Sequence, residues 1–265
     1  MSGSIRAMIN SIGSHWHYRD LLWNLVYKEL KVRFHGTLFG FLWSFVAPSV
    51  MIVLYAFVFG HVFHSGIDHF VLYLMIGFIH FNLLNHIVVQ SCDSLSNASN
   101  LLQKIYFPRV LVPLATVTYN FIIWFMWIVI LLLATPFLGG HYGWALPFYF
   151  LALLCYCVMC LGLGLAFSVL AVQYRDTRHV VDIGLTVLFW ATPIVYNPAG
   201  LDKLERTVLA LNPLSYFLSI FRDLLYRNAF PRAIDVAVAL AWTATCLGVG
   251  IALYWRRAKW LVEVL

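Results

Sequence analysis

Charge is scarce in this chain. Asp, Glu, Lys and Arg make up 11% of its 265 residues, against 62% apolar residues, a balance that excludes the ordinary soluble classes and reads as a multi-spanning membrane protein. No Gly-x-x-x-x-Gly-Lys-Ser/Thr phosphate loop occurs, so the usual cradle for ATP is missing. His-Glu-x-x-His is also missing, and the ten histidines follow no metal-binding spacing, so no metal site is assigned. The five cysteines, Cys92, Cys155, Cys157, Cys160 and Cys246, are odd in number and mostly lie within apolar runs, which argues against a disulfide framework and against zinc. Side chains at 155, 157 and 160 point around a helix rather than toward one point. No nucleophile with a partnered base stands out, so no catalytic residue is assigned. The first twenty residues have no continuous apolar core, and targeting is expected to fall to the spans rather than to a cleavable signal. The net charge of +6 arises from basic residues at the ends of apolar runs, which is a topology pattern and not a nucleic-acid footprint.

What the chain does have is a series of long apolar segments. Residues 16–35 read as an amphipathic helix, with Trp23, Val26, Tyr27, Leu30 and Phe34 on one side and Asn24, Lys28, Lys31 and His35 on the other. Such a helix lies in the membrane surface, since little else here offers it a core to pack on. Spans are expected at about 37–63, with Pro48 bending the first, then 70–90, 110–136 and 146–172. The second carries His80, Asn82, Asn85 and His86, polar groups that face protein or a water-filled cavity at such a depth. After Cys92 the chain turns polar from Asp93 to Asn100, and a short helix is expected before Pro108. The fourth span presents Cys160, Gly164 and Ser168 at four-residue spacing, a small-residue face for close helix approach.

A charged turn, Tyr174-Arg175-Asp176-Thr177-Arg178-His179, opens the fifth span, which runs to Tyr196. Pro193, Pro198, Pro213 and Pro231 then break the apolar sequence. Of the pieces left, 203–211 and 214–226, the longer covers roughly 20 Å, short of a hydrocarbon core of about 30 Å. It is expected to dip in and return. A last span follows at 233–255, and the basic tail Arg256-Arg257-Ala258-Lys259 ends the run. With the N-terminus inside, the inner side holds Arg6, Arg19, Lys28, Lys31, Arg33, Lys104, Arg109, Arg175, Arg178, Arg256, Arg257 and Lys259. The outer side holds only Lys203, Arg206, Arg222, Arg227 and Arg232. The positive-inside rule then favours six spans with both termini cytoplasmic. The fold class is therefore all-α: one domain, residues 1–265, with an interface helix (1–36), a six-span region (37–255) and a cytoplasmic tail (256–265).

Four stretches resemble one family, the ABC-2 type exporter permeases. They are Lys28-Glu29-Leu30-Lys31-Val32-Arg33-Phe34 with Gly40-Phe41-Leu42-Trp43 and Pro48; Tyr106-Phe107-Pro108-Arg109-Val110-Leu111-Val112-Pro113; Tyr174-Arg175-Asp176 with Phe189-Trp190-Ala191-Thr192-Pro193-Ile194-Val195-Tyr196; and Asn212-Pro213-Leu214 with Phe221-Arg222-Asp223-Leu224-Leu225. Within that family the chain is most similar to the polysaccharide, O-antigen and teichoic acid exporters. The resemblance implies a homodimer of permeases bound to two ATP-hydrolysing subunits, moving a lipid-linked glycan across the bacterial inner membrane. ATP and Mg then belong to the partner, and this chain holds no cofactor. It also implies that the surface helix and the loop between the second and third spans meet the ATPase, through Lys28, Lys31, Arg33, Asn97, Gln103 and Lys104. The pieces after the fifth span correspond to periplasmic gate helices, marked by Asn212, Pro213, Arg222 and Asp223. Trp43, Tyr55, Asn82, Asn85, Tyr119 and Trp190 are candidates for the glycan pathway, as flat faces and hydroxyl partners for sugars. Two other readings compete: the same fold exporting a drug or small lipid, and an enzyme or ion-coupled carrier using the intramembrane histidines. A carrier is expected to show internal repeats, and the two halves show none.

Overall fold

The computed structural model describes residues 2–36, 38–104, 107–200 and 202–257. Tyr106 and the tail from residue 258 onward, with Lys259, lie outside the described residues, as do the side chains at 2–17, 199 and 204–206, which include Arg6 and Arg206. Every regular element among the described residues is helical.

The first helix, α1 (Ser2–Phe34), is followed by α2 (Trp43–Tyr55), which continues through a wider turn over Ala56–Val62. Pro48 lies inside α2 and cannot donate to the carbonyl four residues back, that of Ser44. Trp127 supplies the missing donor, its Nε1 reaching Ser44 O at 3.0 Å. A proline that the sequence reads as a bend is thus also the place where a neighbouring helix docks. Next come α3 (Phe70–Asn97), the short α4 (Ser99–Lys104), α5 (Leu111–Ala134) and α6 (Leu146–Gln173). The chain ends with α7 (Thr177–Trp190), α8 (Lys203–Leu211), α9 (Pro213–Leu225) and α10 (Ala233–Arg257).

Five segments are long and apolar enough to cross a membrane: Gly40–Val62, α3, Leu111–Leu138, α6 and α10. They match the expected spans except that α3 runs on to Asn97, so that Asp93 to Asn97 is helix and not the polar loop expected after Cys92. The expected fifth span is shorter than its sequence implied. Its helix stops at Trp190, giving 14 residues and about 21 Å, and residues 191–200 run on in turns.

α3 is the hub, with its side chains buried along nearly its whole length. Two contacts fix how α7 lies against it. Arg178, in the first turn of α7, pairs with Asp93 and donates to Val89 O at 2.8 Å, while Tyr73 Oη, near the start of α3, donates to Tyr196 O at 2.8 Å. Tyr73 and Asp93 are separated by about 30 Å of helix.

The tightest helix contact was not the one expected. The face of Cys160, Gly164 and Ser168 is buried, and Gly164 lies against Val117, Ser91 and Ile87. It is Gly162 on the other side of α6 that meets backbone, with Gly250 and residues 246–247 of α10 so close that any β-carbon there would overlap main chain.

One end of the bundle gathers α1, α4 and the end of α10 around an apolar cluster of Leu25, Val26, Leu95, Leu102, Leu111 and Tyr254. This corrects the reading of α1. The helix does have a protein surface to pack on, and its apolar stripe divides. Val26 is buried, Leu30 and Phe34 are half-buried, but Trp23 and Tyr27 are exposed on the same side as Lys31. Leu25, which the sequence pattern left out, is buried instead. The opposite end gathers the three connections 63–69, 139–145 and 226–232. Tyr226 Oη donates to Asp68 O at 2.5 Å, and the Trp144 and Phe230 rings lie 4.2 Å apart.

Candidate transport site

α9 is the most deeply placed short element. Asn212 begins it: its side-chain oxygen accepts from Leu214 N at 2.9 Å, and Pro213 takes the first helical position, where no N–H is needed. The other half of the same amide donates to Thr192 Oγ1 at 2.8 Å, so the cap also ties α9 to the end of α7. From there α9 runs toward the 226–232 end. Its apolar stripe of Leu214, Phe217, Leu218, Phe221, Leu224 and Leu225 is buried against α3, α6 and α10. Phe221 stacks on His80 with centroids 4.0 Å apart. His80 is itself enclosed, its Nδ1 2.6 Å from Ile76 O and its Nε2 3.2 Å from the Tyr149 hydroxyl. That histidine joins α3, α6 and α9, and takes the place of a lipid-facing or solvent-facing group.

Arg222 and Asp223, adjacent in sequence, where a mutual charge pair and a contact to a glycan phosphate look alike, do not pair with each other. Successive helical residues point about 100° apart, and the two side chains find different partners. Asp223 pairs with Arg227 at 2.8 Å, one turn on; burial pushes its carboxyl up from the ordinary range, and Arg227 pulls it back. Arg222 is 4% exposed and has its guanidinium carbon 3.4 Å from the centre of the Tyr73 ring. Its Nη2 donates to Tyr73 O at 3.4 Å and Ile194 O at 3.3 Å. Gly77 makes room for it, since a β-carbon there would lie 3.1 Å from Arg222 Nη2.

Two cavities with polar residues in their walls lie along α3. The first, about 270 Å³, sits between α2, α3 and α5 and includes Trp43, Asn82, His86, Tyr119, Asn120 and Trp124 in its lining. Arg33, grouped by sequence with the coupling residues, lines this cavity too and lies 5.7 Å from the Tyr119 ring centre. Of the six residues proposed for the pathway, Trp43, Asn82 and Tyr119 come together here. Tyr55 and Trp190 belong instead to an adjoining aromatic cluster with Phe59 and Phe189 between α2 and α7. Asn85 is half-buried on α3 and is not in the lining. Asn120, which donates to Gln90 Oε1 at 3.0 Å, and His86 complete the polar wall. The i, i+4 spacing of Asn82 and His86 is the signal that puts them on one face, while Asn85 points about 100° away from its neighbour His86. The second cavity, about 620 Å³, opens at the 226–232 end and is described below.

The five coupling candidates other than Arg33 all sit on the α1 end. Lys28 and Lys31 are exposed on α1, Asn97 is exposed at the end of α3, and Gln103 and Lys104 are exposed on α4. The apolar cluster of Leu25, Val26, Leu95 and Leu102 holds the three elements together.

A family model described as ABC-2 type transporter matches residues 20–226. The chain is similar to the O-antigen export system permease protein RfbA of Myxococcus xanthus, 27% identical over 91% of this chain and 95% of the relative. A protein of the same description from Klebsiella pneumoniae is 28% identical over 77% of this chain and 80% of its own length. The polysialic acid transport protein KpsM of Escherichia coli is 23% identical over 89% and 92%.

Proposed function

Because the chain belongs to the ABC-2 type transporter family, we propose that it is the permease subunit of an ABC exporter moving a lipid-linked polysaccharide, an O-antigen or related glycan, across the bacterial inner membrane. The observation that carries this reading is the nearly end-to-end similarity to an O-antigen export system permease protein and to a polysialic acid transport protein. Two copies of the chain would form the channel at their interface, since one copy is small for a glycan. Two ATPase subunits, which hold ATP and Mg, would dock on the α1 end, where exposed lysines sit on a packed platform. The whole chain then acts as one transmembrane domain, with residues 1–36 as its interface helix and the tail from 256 on the same side.

In this reading α7 is a sixth crossing. Its first turn lies beside Asp93 and its continuation beside Tyr73, so helix and tail together cover the thickness that 14 helical residues alone do not. On this reading, with the orientation that the positive-inside rule favours, the α1 end and both termini lie in the cytoplasm and the 63–69, 139–145 and 226–232 connections in the periplasm. α8 and α9 become a re-entrant pair at the outer face, with Asn212 and Pro213 setting the turn and Arg222 and Asp223 holding the helix in place as part of a gate. The cavity beside Trp43, Asn82 and Tyr119 lies in the cytoplasmic half, where the glycan would enter. Rebuilt in vesicles with its ATPase, the permease is expected to support vanadate-sensitive ATP hydrolysis and glycan export, and to do neither alone. Glycan transport by this chain in the absence of any ATPase would contradict the proposal.

A further inference from the structure

α9 has a second stripe. Ser215, Ser219, Arg222 and Tyr226 follow one another at spacings of four, three and four, which places them on one side of the helix, and all four line the 620 Å³ cavity at the outer end. A helix inserted among apolar neighbours spends such a stripe only where water or a ligand meets it. Two groups on it are unsatisfied: Arg222 Nε and Ser215 Oγ are both buried and without a hydrogen-bond partner. The remaining charges of the wall are largely answered within the protein. Arg227 pairs with Asp223, and Arg232 pairs with Asp235, which also accepts from Ser219 Oγ at 3.1 Å. Asp68, the other carboxylate of the lining, is exposed and makes no ion pair with Arg222. Arg222 is thus a buried cation, backed by the Tyr73 ring, that meets no carboxylate among the described residues.

We propose that this stripe is an outer binding subsite for an acidic sugar unit, with the Arg222 guanidinium receiving the carboxylate or phosphate oxyanion and Ser215 and Tyr226 meeting the hydroxyls around it. Arginine suits this role because its planar donors match an oxyanion and because its charge persists when buried. The Tyr73 ring and the two carbonyls fix the guanidinium before the ligand arrives, so little ordering is needed on binding. The ligand's origin rests on the export reading: an acidic unit of the departing glycan is one source of the oxyanion, and an anionic lipid headgroup is the other.

The test uses the permease assembled with its ATPase in phosphatidylcholine nanodiscs, titrated calorimetrically with glucuronate and, in parallel, with glucose. Glucuronate is expected to bind saturably and glucose at least about tenfold more weakly, because only the first supplies the charge-assisted bonds. Arg222→Gln is expected to lower glucuronate affinity about tenfold or more, and Ser215→Ala about threefold. Should Arg222→Gln fail to assemble, Arg222→Lys and Ser215→Ala decide, since Ser215 has no partner to lose. Equal binding by wild type and these variants, or no preference over glucose, would overturn the subsite. Nanodiscs containing phosphatidylglycerol separate the sources: abolition of glucuronate binding there would assign the site to lipid and overturn the sugar. Vesicles that export nothing while Arg222-dependent binding persists would fault the export reading and leave the subsite standing.

Discussion

The two ends of the bundle both carry basic residues but use them differently. Among the described side chains of the 226–232 end, Arg227 is paired with Asp223 and Arg232 with Asp235, while Arg222 is held by a ring and two carbonyls and meets no carboxylate. At the α1 end Lys28, Lys31 and Lys104 are exposed and make no ion pair among the described residues. Arg178 pairs with Asp93 and Asp182 there, but it does so to hold α7 against α3. Charge that is internally paired stabilises an element; charge left facing outward on a packed apolar platform is available to something else. A count of basic residues therefore understates the contrast between the two ends, because Arg227 and Arg232 at the 226–232 end are neutralised by neighbouring aspartates.

Substitutions can break this contrast. Gly77→Val should have the largest effect on stability, about 2–3 kcal/mol, because its methyls would displace the Arg222 guanidinium and the Ile194 backbone from a filled site. A lowered unfolding midpoint of the purified protein would register it. Asp223→Ala should cost less, about 1 kcal/mol. The carboxylate is buried, but the Arg227 side chain is 59% exposed and can return to water when its partner is lost. Arg178→Ala should cost about the same or slightly less, since that pair is itself half-exposed; its additional signature would be protease cleavage or cysteine labelling near residues 174–178. The double charge reversal Lys28→Glu, Lys31→Glu should leave the midpoint within about 0.5 kcal/mol and still abolish coupling, so that ATP hydrolysis continues without export. A large loss of stability from that pair, with coupling intact, would erase the distinction between the two ends.

Much of the fold was legible because length, apolarity and proline act locally. Pro48, Pro213 and the Asn212 cap mark their helices from sequence alone, and five spans fall close to their expected limits. What was not legible depends on partners distant in the chain. Whether α1 lies on lipid or on protein is decided by Leu95, Leu102 and Leu111, remote in sequence from Leu25 and Val26. The span α3, with 78% of its apolar window buried, is less apolar than Gly40–Val62, with 6% buried. The interior helix can hold His80 because Tyr149 meets it from α6, and the peripheral one draws on protein at Ser44 O, where Trp127 donates. Hydropathy thus ranks those two in the reverse order of burial. The site was half legible for the same reason. Asn82 and His86 share a face by spacing, but Arg33 reaches the same cavity only because α1 packs across α5. Adjacency of Arg222 and Asp223 cannot tell a mutual pair from a ligand contact, and the helix turns the two side chains apart.

The central claim is that residues 203–232 form an outer re-entrant element while 93–104 face the cytoplasm. Single cysteines at Lys104, Lys203 and Arg227, introduced into a chain whose native cysteines are replaced, can be treated in intact cells with a membrane-impermeant maleimide. Labelling at 203 and 227, with 104 labelled only after permeabilisation, is the predicted result. Labelling at 104 from outside, or protection of 227 until the membrane is opened, would contradict it.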